Sequence, residues 1–296
     1  MRDRPVPAGC ELGIEPAPTP REFEQIRRLA YEKFGLDLRS GKEQLVSARL
    51  NKKMRELRCR SFQEYYRLVV EDQTGEALIG LIDALATNHT SFLREASHFD
   101  YLRDVLLPRL QDRPAIEIWS AACSTGEEPY TLAFTVLDRL GDAAMSRVRI
   151  LATDISTKAL GTARRAVYPA ERFSSFPPGW HHRFLQRGEG RWKGWYRVKP
   201  AIQQMVRFER LNLIEPLRIT GTFPIIFCRN VMIYFDRPTQ EGVVRRLAER
   251  LEMGGHLFIG HAESLTGIQH SLAYVQPAVY RKIESDPTRI ERTKGA

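Results

Sequence analysis

The sequence predicts an α/β protein: an open, mostly parallel, doubly wound sheet preceded by a small all-helical domain. Three observations predict it. From Ile116 onward, short apolar runs alternate with helical stretches, the pattern of strands joined by crossover helices. The first run ends in small residues and feeds a helix, W-S-A-A-C-S-T-G-E-E-P-Y-T from Trp119 to Thr131, which is how such a sheet builds a small-molecule site. Residues 19–87 carry only helical periodicity and helix-start signals.

Residues 1–18 hold Pro5, Pro7, Pro16 and Pro18 and read as a flexible arm. Structure begins at T-P-R-E, with Thr19 as N-cap, Pro20 at the first helical position and Glu22 closing a capping box. Phe23, Ile26, Ala30 and Phe34 keep helical spacing up to a stop at Gly35. S-G-K-E from Ser40 opens a second helix, S-F-Q-E from Ser61 a third, and residues 74–86 form a fourth. On the second helix Val46, Leu50 and Leu57 share one face, and Arg49, Lys52 and Arg55 the opposite one. With Lys53, Arg58 and Arg60, six basic residues stand against Glu56 alone. Such a run is either a solvated face or a landing surface for an acidic helix or a nucleic-acid backbone.

Residues 88–110 read as a linker and a linking helix from Ser97; the stretch Thr87–Glu95 is either an unpaired linker or, as the favoured reading, a lid over the cofactor. The domain at 111–283 has predicted strands at 116–121, 148–155, 205–211, 223–228 and 255–261, helices at 127–140, 157–166 and 238–251, and a final hairpin at 273–283. Residues 168–200 are too long for a simple loop. Their second half, R-G-E-G-R-W-K-G-W-Y-R-V, spaces Gly188, Gly190 and Gly194 among aromatic and basic residues. It predicts a small β-hairpin insertion, either a bare surface hairpin or an edge that captures peptide. The polar tail, 284–296, reads as disordered.

Composition narrows the function classes. The longest apolar runs fall far short of the roughly 20 residues a membrane span needs. The N-terminus M-R-D-R-P-V-P lacks an apolar signal core. A cytoplasmic protein without membrane insertion is expected. Cys10, Cys59, Cys123 and Cys228 form no C-x-x-C pair, and no histidines stand at H-E-x-x-H spacing. Reduced thiols and no metal are expected. The net charge of +9 favours an acidic partner.

The chemistry gathers at the predicted carboxyl edge of the sheet. Carboxylates at Glu127 and Glu128 suit a helix N-terminus but would repel a phosphate. The turn fits a ligand with hydroxyls or a positive charge, as S-adenosylmethionine has in its ribose and sulfonium. Asp154 ends the second strand, where an acid receives ribose hydroxyls. Asn212, between Leu211 and Leu213, either lines an adenine edge or forms a turn. Arg229 and Asn230 directly follow the buried run 223–228. Base-modifying amino-methyltransferases keep N/D-P-P-Y/F at that place; R-N-V-M here argues against a nucleic-acid base as acceptor.

T-N-x-T-x-F-x-R-E (Thr87–Glu95), W-S-A-A-x-S-T-G-E-E-P-Y, A-T-D-I and I-F-C-R-N-V-M-I-Y-F occur in this order. Together they resemble the chemotaxis receptor-glutamate methyltransferase family, CheR, over residues 19–283. The resemblance implies a class I (Rossmann-like) methyltransferase domain with a small antiparallel β-subdomain behind a helical domain. It implies S-adenosylmethionine held by Asn88, Thr90, Arg94, Glu128, Asp154, Asn212, Leu213, Arg229 and Asn230, with Arg94 and Tyr234 nearest the reacting groups. It implies that Arg49, Lys52, Lys53 and Arg55 meet the acidic methylation helices of a chemoreceptor. Gly188, Gly190, Gly194 and Arg197 match the loop that in some members docks a receptor C-terminal pentapeptide. A monomer that binds no nucleic acid is expected. The rival readings are a nucleic-acid methyltransferase and a non-catalytic cofactor-binding docking protein.

Overall fold

The computed structural model describes residues 18–38, 41, 43–86 and 88–284. The expected arm up to residue 17, the tail from residue 285, Ser40 and Thr87 lie outside the described residues. The chain divides into two compact units. One holds residues up to 33 and 38–85, the other 34–37 and the chain from 86 onward.

The first unit is helical: Pro20–Phe34, Glu43–Glu56, Phe62–Glu71 and Glu76–Leu85. The capping box forms. Thr19 N–H donates to Glu22 at 2.9 Å and Glu22 N–H to Thr19 Oγ1 at 3.3 Å. Ser61 caps its helix by accepting from Glu64 N–H. The second helix corrects the expected face. Val46, Leu50 and Met54 are its buried apolar residues, while Leu57 is exposed. The helix ends at Glu56, and Arg58 turns the chain at positive φ, carrying Leu57 off the apolar stripe. The basic face is also divided. Arg49 donates to the Leu85 carbonyl and Lys53 pairs with Glu56 at 3.2 Å, whereas Lys52 and Arg55 are exposed.

The second unit is built on a seven-stranded sheet. In chain order its strands are β1 (Ile116–Ala121), β2 (Val148–Asp154), β6 (Val206–Arg210), β7 (Phe223–Cys228), β8 (Leu251–Phe258), β9 (Leu272–Gln276) and β10 (Val279–Lys282). Their spatial order is β6-β2-β1-β7-β8-β10-β9. The first five are parallel, and β10 pairs antiparallel with β8 and β9. The chain winds outward from β1 to β6, then returns to the other side of β1 as β7. That reversal makes β1/β7 the topological switch point, where open α/β sheets bind ligands. β7 is buried along its whole length, the mark of a central parallel strand. Pro224 supplies no N–H, and the β7–β8 register shifts across it, between Phe223 and Ile225. β8 starts earlier and ends earlier than expected; at its far end Glu263 N–H closes a turn onto the Gly260 carbonyl.

Helix 97–110 contains a π-turn, Leu102–Leu106, with Leu107 N–H reaching the Leu102 carbonyl. Pro108 follows and cannot donate, so the wider turn accommodates it. The insertion is a three-stranded antiparallel sheet rather than a hairpin, ordered β3 (Val167–Pro169), β5 (Trp195–Val198), β4 (Leu185–Arg187). β3, at the start of the insertion, supplies the extra edge. Beneath it Phe92, Phe134, Tyr168, Phe173, Phe176 and Trp180 interlock, with Phe92 and Phe173 stacked at 4.6 Å. Aromatic pairs of this kind contribute about 1 kcal/mol each beyond burial.

Candidate active site

The turn after β1 is tightly wound. Ala122, Ser124 and Gly126 all take positive φ. Only glycine fits at 126, where a Cβ would fall 2.8 Å from both Ala163 Cβ and Tyr168 Oη. Of the eight non-glycine residues at positive φ among the described residues, five (Leu93, Glu95, Ala122, Ser124, Asn230) border this edge. Such strain concentrates at functional sites.

Asp154, at the end of β2, closes the turn. Its carboxylate accepts from Ser124 N–H at 2.8 Å and Ser156 N–H at 2.9 Å. Ser124 Oγ in turn donates to the Asn88 carbonyl at 3.3 Å, which brings the 88–96 segment to the turn. That segment is anchored rather than loose. Phe92 is buried, Leu93 N–H donates to Thr131 Oγ1 at 3.3 Å, and Arg172 donates to the carbonyl of buried Thr90 at 2.8 Å. Arg94 is half-buried and donates to the His89 carbonyl at 2.9 Å.

Arg229, 5 % exposed at the end of β7, is the hub. It pairs with Glu128 at 3.0 Å and Glu95 at 2.9 Å, and donates to the Arg94 carbonyl. Glu128 also accepts from Ser120 Oγ at 2.7 Å. Burial pushes the Glu128 carboxyl up, against the pull of Arg229 and Ser120. Burial also raises Glu95, but Arg229, Asn230 and His261 N–H outweigh it and hold Glu95 below the usual carboxylate range. Asn230 donates to Glu95 at 3.2 Å through Nδ2 and to Glu263 at 2.9 Å through its backbone. Buried Glu263 also accepts from Gly260 N–H at 2.6 Å and Ile233 N–H at 3.3 Å. It thereby ties the β7 and β8 loops together next to Tyr234.

The structure therefore brings together Asn88, Thr90, Arg94, Glu128, Asp154, Arg229 and Asn230. Leu213 is buried nearby; Leu211 N–H reaches the Asp154 carbonyl at 3.0 Å. Asn212 forms the turn: it accepts from Ile214 N–H and donates to Glu215 at 2.8 Å. Sequence reasoning missed Glu95, Glu263, Ser120 and Ser124. Glu95 closes the quoted T-N-x-T-x-F-x-R-E run, so its signal was present. Glu263 shows only as an acid three residues after a glycine.

Gly188, Gly190, Gly194 and Arg197 lie in the small sheet, away from this network. A Cβ on Gly188 would meet the Trp192 backbone. Gly190 and Gly194 flank the turn between β4 and β5, Arg197 is exposed on β5, and Trp192 and Trp195 are exposed.

The edge can be tested for what it would hold. Three carboxylates, Glu95, Glu128 and Asp154, stand against one buried guanidinium, Arg229. The excess negative charge repels phosphate and suits a ligand bearing hydroxyls and a cation. Burial pushes the Cys123 and Cys228 thiols well above their usual range, so neither is a thiolate nucleophile. Glu95, His98 and His261 bring ligand-type atoms within 4.8 Å of one another, a grouping that sequence spacing did not reveal. The carboxylate in it is already matched by Arg229.

Residues 88–280 match the family described as CheR methyltransferase, SAM binding domain, and residues 21–86 match CheR methyltransferase, all-alpha domain. S-adenosylmethionine (SAM) is accordingly the cofactor, in agreement with the charge of the edge. The chain is similar to chemotaxis protein methyltransferase 2 of Pseudomonas aeruginosa, 41% identical over 88% of this chain and 93% of that protein. It is similar to the chemotaxis protein methyltransferase of Borreliella burgdorferi, 36% identical over 89% and 95%. The Escherichia coli protein of that name is 37% identical over 87% and 89%. Both halves of the chain, the acid-rich switch point and these likenesses over most of the chain agree: the protein belongs to the CheR methyltransferase family.

Proposed function

We propose that the protein methylates glutamate side chains on the cytoplasmic helices of chemoreceptors, giving methyl esters. The observation that carries this reading is Arg229-Asn230 at the end of β7, locked to Glu95 and Glu128. This pair replaces the N/D-P-P-Y/F that holds a neutral amine acceptor. The chain's relatives, named chemotaxis protein methyltransferases, favour a chemoreceptor as the acceptor.

When bound, SAM supplies an electrophilic methyl group on sulfur. The acceptor glutamate, with a pKa of about 4.3, is already ionised at neutral pH, so the protein needs no general base. Its work is alignment and the exclusion of water. Asp154 would receive ribose hydroxyls, and Leu213 would give the base an apolar wall beside the turn set by Asn212. Asn88 and Thr90 would close the cofactor side, with Glu128, Arg229 and Asn230 fixing the edge. Arg94 would orient the reactants. A strong ion pair to the attacking oxygen would stabilise the ground state more than the transition state, so Arg94 acts through position. Tyr234 would donate a positioning hydrogen bond. Lys52 and Arg55, with Arg49 and Lys53 behind them, would meet the acidic receptor helices. The small sheet, through Gly188, Gly190, Gly194 and Arg197, would hold a receptor C-terminal peptide.

Steady-state methylation of a receptor cytoplasmic fragment tests the reading. Arg94→Ala and Tyr234→Phe should each lower kcat/KM by about tenfold or more. Unchanged kinetics in both would remove them from these roles. Cofactor binding without turnover on any receptor fragment would make the protein a docking module instead.

A further inference from the structure

The opposite edge of the same sheet carries a cleft. Its volume is about 120 Å³, and it lies where β7 and β8 begin, against the end of helix 97–110. Arg109, Arg113 and Arg281 line it, together with Glu252, His256 and Pro224. Arg113 is paired with Glu252 at 2.7 Å. Among the described residues neither the Arg109 nor the Arg281 side chain makes a hydrogen bond or ion pair. Three guanidinium groups thus face one carboxylate, leaving two positive charges uncompensated. They come from separate elements: Arg109 from the helix, Arg281 from β10, cross-strand to His256 on β8. Their convergence is a property of the fold, not of one charged run in sequence.

Arg229 lies five residues beyond Pro224 along β7, roughly 16 Å away at strand rise. A ligand in this cleft therefore cannot reach the SAM edge. Guanidinium forks match phosphate oxygens in paired hydrogen bonds, and two unmatched positive charges suit a dianion. The Arg113–Glu252 pair supplies a third fork that is half-occupied.

We infer that this cleft is an anion site that takes the phosphoryl group of a small molecule, distinct from the cofactor site. Inorganic pyrophosphate, titrated calorimetrically into the full chain at constant ionic strength, tests it. Saturable one-to-one binding is expected. Arg109→Gln with Arg281→Gln should weaken it at least tenfold while SAM affinity stays unchanged. Glu252→Gln, which frees Arg113, should tighten it severalfold, an effect that mere loss of folding cannot produce. Heat that does not saturate, affinity unaltered in the double variant, or displacement of pyrophosphate by S-adenosylhomocysteine would overturn the inference. So would phosphatidylglycerol vesicles that bind through the two arginines while pyrophosphate does not, since the phosphoryl group would then belong to a lipid surface.

Discussion

Replacing Arg229 by methionine removes the charge at the centre of the candidate site and nearly preserves length. Two carboxylates lose their partner at once, Glu95 at 2.9 Å and Glu128 at 3.0 Å, with side chains 14% and 12% exposed. Breaking a buried pair by removing one member costs about 3–5 kcal/mol, and about 4 kcal/mol is expected here at pH 8. The cost must depend on pH. Arg229 lowers both carboxyls against the upward push of burial. In the wild type the depressed Glu95 contributes stability above its ordinary value of 4.5 and loses it as pH falls. In the variant both carboxyls rise, so the folded state takes up protons that the unfolded chain does not, and stability recovers toward low pH. Each carboxyl recovers about 1.4 kcal/mol per pH unit within its shifted range, which brings the difference to about 2 kcal/mol by pH 5. All four tryptophans lie between residues 119 and 195, so tryptophan fluorescence in urea follows this unit alone. A difference below about 1 kcal/mol at pH 8, or one equal at pH 5 and pH 8, would refute the claim that Arg229 holds the edge through these two charges.

Three further outcomes are expected. Glu263→Gln exchanges an acceptor of three backbone N–H groups for a partial donor; it should cost about 2–3 kcal/mol in the same urea titration and weaken SAM binding, and a loss under about 0.5 kcal/mol contradicts the anchoring role. His98 is held down at about 3 by burial and then by the charge of Arg229, so its stabilising contribution is complete above its unfolded value of 6.5 and falls as pH drops; His98→Phe should flatten the loss of stability between pH 6.5 and 4 by about 3 kcal/mol, and an unchanged slope argues against it. Gly188→Ala drives a Cβ into the Trp192 backbone and should open the β4–β5 turn, raising amide exchange across 185–198 while shifting the main unfolding transition by less than about 1 kcal/mol; unchanged exchange refutes the close approach.

The parts of the fold that local chemistry dictates were legible. The predicted bounds of β1, β7 and helix Glu127–Leu140 agree with the structure, because each is a continuous apolar or amphipathic run ended by small or polar residues. The capping box at Thr19 and the N-cap at Ser61 are equally local. What failed was long-range. β3 is three residues long and pairs with β5 from the far side of the insertion, so only the Trp-rich half announced a sheet. Leu57 shares the helical phase of Val46 and Leu50 but lies one residue past the helix end. In the site, the sequence places Glu128 at the cofactor turn but does not show its partner within the protein. The structure turns it to Arg229, 101 positions away, a pairing that no spacing rule contains. Two of the three N–H groups that Glu263 accepts from, those of Asn230 and Ile233, stand 30 or more residues away, and Glu95, although inside the quoted run, meets Arg229 across 134 positions. The carboxylate excess was visible from sequence, and its internal wiring was not.

The most direct test is the chemistry of the product. Incubated with methyl-labelled S-adenosylmethionine and a receptor cytoplasmic fragment, the protein should place label on the fragment that mild alkali releases as volatile methanol, and changing the acceptor glutamates to alanine should abolish it. Label that survives alkali, or that appears on RNA or DNA instead of the receptor, would contradict carboxyl methylation.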